Sequence, residues 1–367
     1  MKRLFILLVT LMLLTGCAAR PSTGTYRQIT AQEAAELMES ETGYIVLDVR
    51  TPQEYAERHI PGAINVPNET IGSTAPEQLP DREQLILIYC RSGNRSKTAA
   101  AALAARDTLR TVSAERLYAE LDGLLLAPGA GKTLAQYGEI LGGVVPEILP
   151  CIGCTQPGRW HCYDVWQHSA AAVAALDLRG QDTRGVRVLC WATFLHDIAK
   201  PQCRTVGPDG AAHFKGHNQR GAQAARTILR RLKAPAYLTD GAVGLIAVHD
   251  APLPADDAGI LKLLNRSGAI FLRRLCVLKY ADLDAHAATP EGAARRAEVE
   301  RFACRMDELA KTGCYTMRQL AVNGADLMDA GIPAGPGVGA TLQTLLTAVM
   351  EGRLPNEREA LLEAATV

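Results

Sequence analysis

Aromatic residues are scarce. Phe, Trp and Tyr make up 5% of the 367 residues, which excludes the base-stacking platform that single-strand binders rely on. Excess charge of either sign is missing too. Lys and Arg total 39 against 39 Asp and Glu, so no global field draws the chain to nucleic acid or anionic lipid, and such binding needs a local patch. The apolar run Leu4 to Leu14 falls short of the roughly 20 residues a spanning helix requires. No internal repeat or low-complexity tract is present. The ten cysteines show no spacing of a disulfide-stapled scaffold; those in the second half are scattered through apolar helices, as buried thiols of a reducing compartment are. What the chain does have is 48% hydrophobic residues, enough for the two or three cores that roughly 150 residues per domain implies.

Lys2 and Arg3 followed by the apolar run and by Leu14-Thr15-Gly16-Cys17 resemble a bacterial lipoprotein signal. The resemblance implies that residues 1–17 are the signal, that Cys17 is lipidated, and that the protein is a lipid-anchored, extracytoplasmic protein of the cell membrane, with 18–25 a linker. The thiols of the second half look cytoplasmic instead, so the chain sends two compartment signals.

Two β-branched runs, Tyr44 to Val49 and Gln84 to Tyr89, read as buried parallel strands among helical patterns. From about Tyr163 onward apolar residues recur at three and four spacing and alanine is frequent, so this half reads as all-helical. Ala127 to Gly131 reads as a linker.

Cys90 ends a strand, followed by Arg91-Ser92-Gly93-Asn94-Arg95, and Ser96 opens an alanine-rich helix over Lys97 to Ala105. A strand, a tight loop and a helix start surround one sulfur with backbone N–H groups and the positive helix end, which makes Cys90 a reactive thiolate. LDVRTPQEYAERHIPGAINVP at 47–67 and YCRSGNRS at 89–96 are similar to a single-domain rhodanese over about residues 26–105. The resemblance implies an α/β sulfurtransferase without cofactor. Cys90 carries a persulfide, Arg91, Ser92, Gly93, Asn94, Arg95 and Ser96 cradle it, and Asp48, Arg50 and His59 brace the loop. The partner is a small thiol or other sulfur donor or acceptor. After the loop helix the pattern departs: the last strand and its closing turn read as degraded or displaced.

In the second half His168, the doublet His196-Asp197, His217, His249 and Asp282 follow in order. Neighbouring His and Asp at a helix end reach one pocket when a shared metal draws them in, and imidazole with carboxylate suits Mn, Ni, Fe, Mg or Zn and hydrolysis at phosphorus. This order resembles the HD superfamily of metal phosphohydrolases. It implies His168, His196, Asp197 and Asp282 as core ligands, His217 and His249 on a second metal, and Lys200 as a catalytic cation near the scissile phosphate. His161, nearly on the face of His168, is the rival first ligand. HDIAKPQCRTVGPDGAAHFKGHNQRGAQAARTILRRLK at 196–233, with VVPEI before it and GIPAGPGVGATLQTLLTAVMEGRLPNEREALL after it, looks like the body and tail of a bacterial CCA-adding tRNA nucleotidyltransferase over about 132–367. CCA addition is expected to be absent, because Asp282-Leu283-Asp284 sits in a helix without the Gly-Ser turn of the family's polymerase head.

Weaker features are Cys151-x-x-Cys154 with His161-Cys162, which has a zinc-like look, the basic helix end Arg226, Arg230, Arg231 and Lys233, and Gly335 to Gly339, which reads as a helix-linking turn. The expected architecture is an α/β rhodanese-like domain (26–128), a linker (129–160), an all-α HD domain (161–289) and a helical tail (290–367). The expected function is a sulfurtransferase fused to a metal-dependent phosphohydrolase acting on a nucleotide or RNA-end phosphate. The alternatives are a tRNA-interacting helical module with a vestigial metal site, and an artefactual fusion of two genes.

Overall fold

In the computed structural model the β-branched runs of the first half form a three-stranded parallel sheet in the order β2-β1-β3, from β1 Ile45–Asp48, β2 Ile64–Asn65 and β3 Ile86–Tyr89. The structure describes residues 26–71, 79, 84–109, 112–157, 162–208 and 210–366; Cys17 with its signal, the linker at 18–25 and His161 lie outside them. The chain divides into two compact units, residues 1–113 with 139–146, and 114–138 with 147–367.

In the first unit, α1 Ala31–Ser40 precedes β1, α2 Pro52–Glu57 links β1 to β2, and α3 Asn94–Leu109 follows β3. Leu47 of the central strand is fully buried and clusters with Val49, Val66, Ile71, Leu79 and Ala99. Thr51 and Glu54 form a capping box with Pro52 in the first turn, which starts α2 directly after the strand. The expected last strand has no counterpart among the described residues of this unit. Alanine carries α3 to Leu109, beyond the expected end at Ala105, because no β-branched run interrupts it.

Asp48 at the end of β1 is fully buried. It accepts from Arg50 Nε at 2.9 Å and Nη2 at 2.6 Å and from the Tyr89 hydroxyl at 2.5 Å. Burial pushes its pKa up, but these hydrogen bonds outweigh burial and hold it below the usual carboxylate value. The contribution to stability is therefore present above about pH 4, the unfolded value, and is lost as pH falls through the lower folded value. Asp48→Ala is expected to cost roughly 2 kcal/mol, since it leaves the Tyr89 hydroxyl and the Arg50 Nε without their acceptor. Urea unfolding at pH 7 and pH 3 checks this: the gap between variant and wild type must shrink in acid.

The second unit runs through α4 Ala114–Leu126, α5 Ala130–Leu141 as far as Gly138, α6 Val165–Ala175, α7 Thr183–Leu195, the short α8 Lys200–Cys203, α9 His217–Arg231, α10 Ala236–Val248, α11 Asp257–Ser267 and α12 Ala269–Asp284. It ends with α13 Pro290–Thr312, α14 Gly324–Asp329, α15 Pro336–Met350 and α16 Arg358–Thr366. Trp191, Phe194, Leu189 and Leu195 of α7 are fully buried, as are Ile228 and Leu229 of α9 and Leu238 and Leu245 of α10.

Four expectations are corrected. The α/β unit ends at 113 and not at 128, because buried Asp122 accepts from Trp191 Nε1 at 3.0 Å and Arg187 Nε at 2.9 Å and so ties α4 to α7. The stretch 129–160 is not a plain linker, since it holds α5 and a 3-10 turn at Pro146–Cys151. At Gly131 a Cβ would stand 2.4 Å from Ala170 O, so glycine there lets α5 approach α6. The second half is not wholly α: β4 Thr205–Val206 and β5 Ala212–His213 pair antiparallel around a turn from Gly207 to Gly210, as Gly-Pro-Asp-Gly favours. Finally, Pro336 to Gly339 form the first turn of α15 and not a link between helices, Pro sitting where a helix lacks N–H partners anyway.

Candidate functional site

Two constellations stand out, one in each unit. In the first, β3 delivers Cys90 to a loop that Gly93 turns through φ +83°, the left-handed region glycine tolerates, and α3 begins at once. The Gly93 and Ser96 N–H groups donate to Cys90 Sγ at 3.1 and 3.4 Å, and Ser96 Oγ lies 3.6 Å from it. Burial pushes the thiol pKa up, but the Ser96 hydroxyl and the N–H groups of Ser96, Ser92 and Gly93 outweigh it and hold the value below that of an ordinary thiol. Half-buried Cys90 opens onto a cleft of about 830 Å³ whose walls include Ile88, Gly93, Ser96, Lys97 and Leu103. This is a nucleophile with a ready cradle for an anionic sulfur.

In the second unit four imidazoles surround one carboxylate. Asp197 Oδ2 lies 3.5 Å from His168 Nε2 and 3.3 Å from His196 Nε2, and Asp197 Oδ1 lies 3.4 Å from His217 Nε2 and 3.7 Å from His249 Nε2. Asp282 Oδ1 closes the first half, 2.8 Å from His168 Nε2 and 3.5 Å from His196 Nε2. The Nδ1 atoms of His196, His217 and His249 stand 2.7, 2.8 and 2.8 Å from the carbonyls of Thr193, Phe214 and Ile246. A carbonyl only accepts, so each Nδ1 carries a proton and a neutral ring keeps its Nε2 lone pair for the centre. His217 Nε2 and His249 Nε2 are 3.2 Å apart, two lone pairs face to face unless a proton or a metal ion lies between them.

The residues fit a metal ion. His196 Nε2 and Asp197 Oδ1 are buried without a strong hydrogen bond, while Asp197 Oδ2 faces the Lys200 ammonium at 2.7 Å, and the sets His168/His196/Asp197 and Asp197/His217/His249 each offer ligand atoms within 4.8 Å of one another. Burial works against charge on Asp197 and Asp282, but His196 and Lys200 beside the first and His168 and His196 beside the second hold both carboxyls well below the usual range. Burial works against a charged His196 as well, yet Asp197 and Asp282 raise its pKa to about 10. Without a divalent cation a proton balances the carboxylates, and binding a cation releases it.

Residues 30–119 match the family described as Rhodanese-like domain, and residues 219–365 match tRNA nucleotidyltransferase domain 2. Thiosulfate sulfurtransferase GlpE of Pseudomonas syringae is 32% identical over 78 residues, 21% of this chain and 70% of that protein. The chain belongs to the rhodanese family through this domain.

For the helical half, an A-adding tRNA nucleotidyltransferase of Deinococcus radiodurans is 33% identical over 255 residues, 67% of this chain and 56% of that protein. A CC-adding tRNA nucleotidyltransferase of Thermus thermophilus is 34% identical over 253 residues, 67% of this chain and 55% of that protein. The chain spans little more than half the length of either.

Within the rhodanese domain, the sequence pattern overlooked two residues. Glu54 of α2 receives both arms of Arg95 at 2.6 and 2.8 Å and so fixes the loop, and Tyr89, the residue before Cys90, donates its hydroxyl to Asp48. Its place as Cys90's neighbour on the strand was the available signal. Arg91, Ser92 and Asn94 are exposed around the loop. Arg50 braces through Asp48 and through the Arg58 carbonyl at 2.6 Å. Exposed His59 stacks on Tyr55 with ring centroids 3.8 Å apart, so it supports α2 and not the loop.

In the helical half the six expected ligands do gather, and His286 joins them unexpectedly, its ring edge-on to His168 at 4.7 Å. Lys200 is placed differently from the expectation. Its buried ammonium lies 2.7 Å from Asp197 Oδ2 and 2.9 Å from Gln156 Oε1, so it faces the carboxylate and not an incoming phosphate. Cys151, buried, directs its thiol to the Ile198 carbonyl at 3.6 Å, and no metal-holding cysteine group occurs among the described residues. In the basic patch Arg226 pairs with Asp240, Arg231 with Glu147 and Lys233 with Glu115, which neutralises most of it.

Proposed function

We propose that this chain couples a sulfurtransferase, acting through a Cys90 persulfide, to a helical half that holds divalent cations in a centre of HD type and hydrolyses a phosphate ester of a nucleotide or RNA end. For the first activity, the Cys90 thiolate attacks the sulfane sulfur of a donor such as thiosulfate, the S–S bond to sulfite breaks, and sulfite leaves. The Gly93 and Ser96 N–H groups hold the persulfide until a thiol or cyanide takes its outer sulfur and frees the thiolate.

One observation carries the second activity: the Nε2 atoms of His217 and His249 face each other 3.2 Å apart beside the buried Asp197 Oδ1. When bound, a divalent cation polarises a phosphoryl oxygen as a Lewis acid. Asp197 bridges the two halves of the centre, and Asp282, with 24% of its side chain exposed, marks the side open to substrate. The purified protein is expected to hydrolyse a phosphomonoester or a 2′,3′-cyclic phosphodiester with Mn, Ni, Fe, Mg or Zn and to stop in EDTA. Equal rates with and without EDTA overturn this reading.

The match of 219–365 to tRNA nucleotidyltransferase domain 2 favours a second reading, a tRNA-interacting module with a vestigial metal site. Such a module purifies without metal and binds tRNA in EDTA. In both readings the chain is expected not to add CCA, as Asp282-Leu283-Asp284 lies at the end of α12 and not on a strand. Membrane anchoring through Cys17 is part of the proposal: Cys17→Ala is expected to leave the precursor unprocessed and without label from radioactive palmitate, and label on that variant refutes it.

A further inference from the structure

Lys200 is an odd neighbour for a cation centre. Only 8% of its side chain is exposed, and its ammonium lies against Asp197 Oδ2, the oxygen that also faces His168 and His196. On its other side the ammonium donates to Gln156 Oε1 at 2.9 Å, and it lies 5.3 Å from the centre of the Phe214 ring. Gln156 is itself buried, 4% exposed. Like charges repel strongly at such range in a poorly solvated site. A divalent cation on Oδ2 therefore meets a fixed positive charge, whereas one on Oδ1, between His217 and His249, has no such charge at its oxygen.

We propose that Lys200 is a positioning residue that competes with metal for Asp197 Oδ2, that Gln156 gives its ammonium an alternative partner, and that the pair sets how tightly the His168/His196/Asp282 half of the centre takes a divalent cation. This rests on the metal-centre reading above. As metal arrives, the ammonium shifts its hydrogen bonding from Asp197 toward Gln156 and the Phe214 face. The two halves then fill with unequal affinity, the Oδ2 half being the adjustable one.

The test is Mn(II) titration of the full chain, with free ion read by electron paramagnetic resonance and folding by circular dichroism. Lys200→Met keeps an unbranched chain one atom shorter and removes charge, and is expected to tighten one of the two Mn(II) sites by roughly tenfold. Gln156→Leu leaves Asp197 as the ammonium's main partner and weakens that site, while Gln156→Glu draws the ammonium away and tightens it. In the Lys200→Met background Gln156→Leu has no effect, a coupling that a purely structural role for Gln156 does not produce. Unchanged or weaker Mn(II) binding in folded Lys200→Met overturns the proposal. Should that variant not fold, Gln156→Glu and Gln156→Leu decide alone: equal affinities in both overturn it. Wild-type protein that takes up no Mn(II) at micromolar levels instead defeats the metal-centre reading itself.

Discussion

Serine at position 90 is expected to bring thiosulfate-to-cyanide sulfur transfer down to the uncatalysed background while leaving the melting temperature nearly unchanged. The substitution exchanges sulfur for oxygen with little change in volume at a half-buried site, so packing around the loop persists. A serine hydroxyl is not ionised near neutral pH and forms no persulfide. The same sulfur should announce itself in the wild type through alkylation. Because the Gly93 and Ser96 N–H groups and the Ser96 hydroxyl favour the thiolate, the rate with iodoacetamide is expected to rise with a midpoint below about 8.5, the ordinary thiol value. Ser96→Ala moves that midpoint up. Thiocyanate formation by Cys90→Ser at even a tenth of the wild-type rate, roughly 1.4 kcal/mol of barrier, is incompatible with Cys90 as nucleophile.

Asp197→Ala carries the other large effect. Asp197 turns one oxygen toward each half of the imidazole cluster, so its loss removes a candidate ligand atom from each. Metal affinity is expected to fall by more than about 100-fold, above the loss that outer-shell changes produce. Hydrolysis of the phosphate ester falls with it. Asp197→Asn keeps the size and tests charge alone. Binding also shows as stability: cation at 100 times its Kd adds about 2.7 kcal/mol to the wild type, and neither variant should gain it. Elemental analysis of purified protein and Mn(II)-dependent shifts in melting temperature measure both. A variant that retains the wild-type thermal shift removes Asp197 from the centre.

The rhodanese domain was legible because its signals are local. A strand, a glycine turn and a helix start occupy consecutive positions around Cys90, and the N–H groups that hold the sulfur come from residues three and six positions on. The partners that stiffen this loop were not legible in the same way. Glu54 reaches Arg95 across 41 positions, and an exposed-looking glutamate in a short helix gives no hint of its partner.

In the helical half, order along the chain named the six candidate ligands that the fold gathers, since His and Asp at helix ends are few enough to count. Their roles were another matter. That Asp197 stands between two pairs of imidazoles, or that His286 edges against His168, depends on how α6, α7, α9, α10 and α12 pack, and apolar periodicity shows which face is buried without showing against what. The domain boundary escaped for the same reason: the sequence of α4 reads as a neutral continuation, and only the hydrogen bonds from Trp191 and Arg187 to Asp122 tie it to the second unit.

The sequence by itself thus determined which residues were candidates for a nucleophile and for a metal-ligand set, because residue type and short-range spacing decide what a group can do. Tertiary structure alone decided where each charge acts. Lys200 shows why: a lysine three residues after the doublet could face solvent, substrate or carboxylate, and burial against Asp197 and Gln156 selects among them, since a desolvated ammonium needs the nearest carboxylate and acceptor to offset its lost hydration.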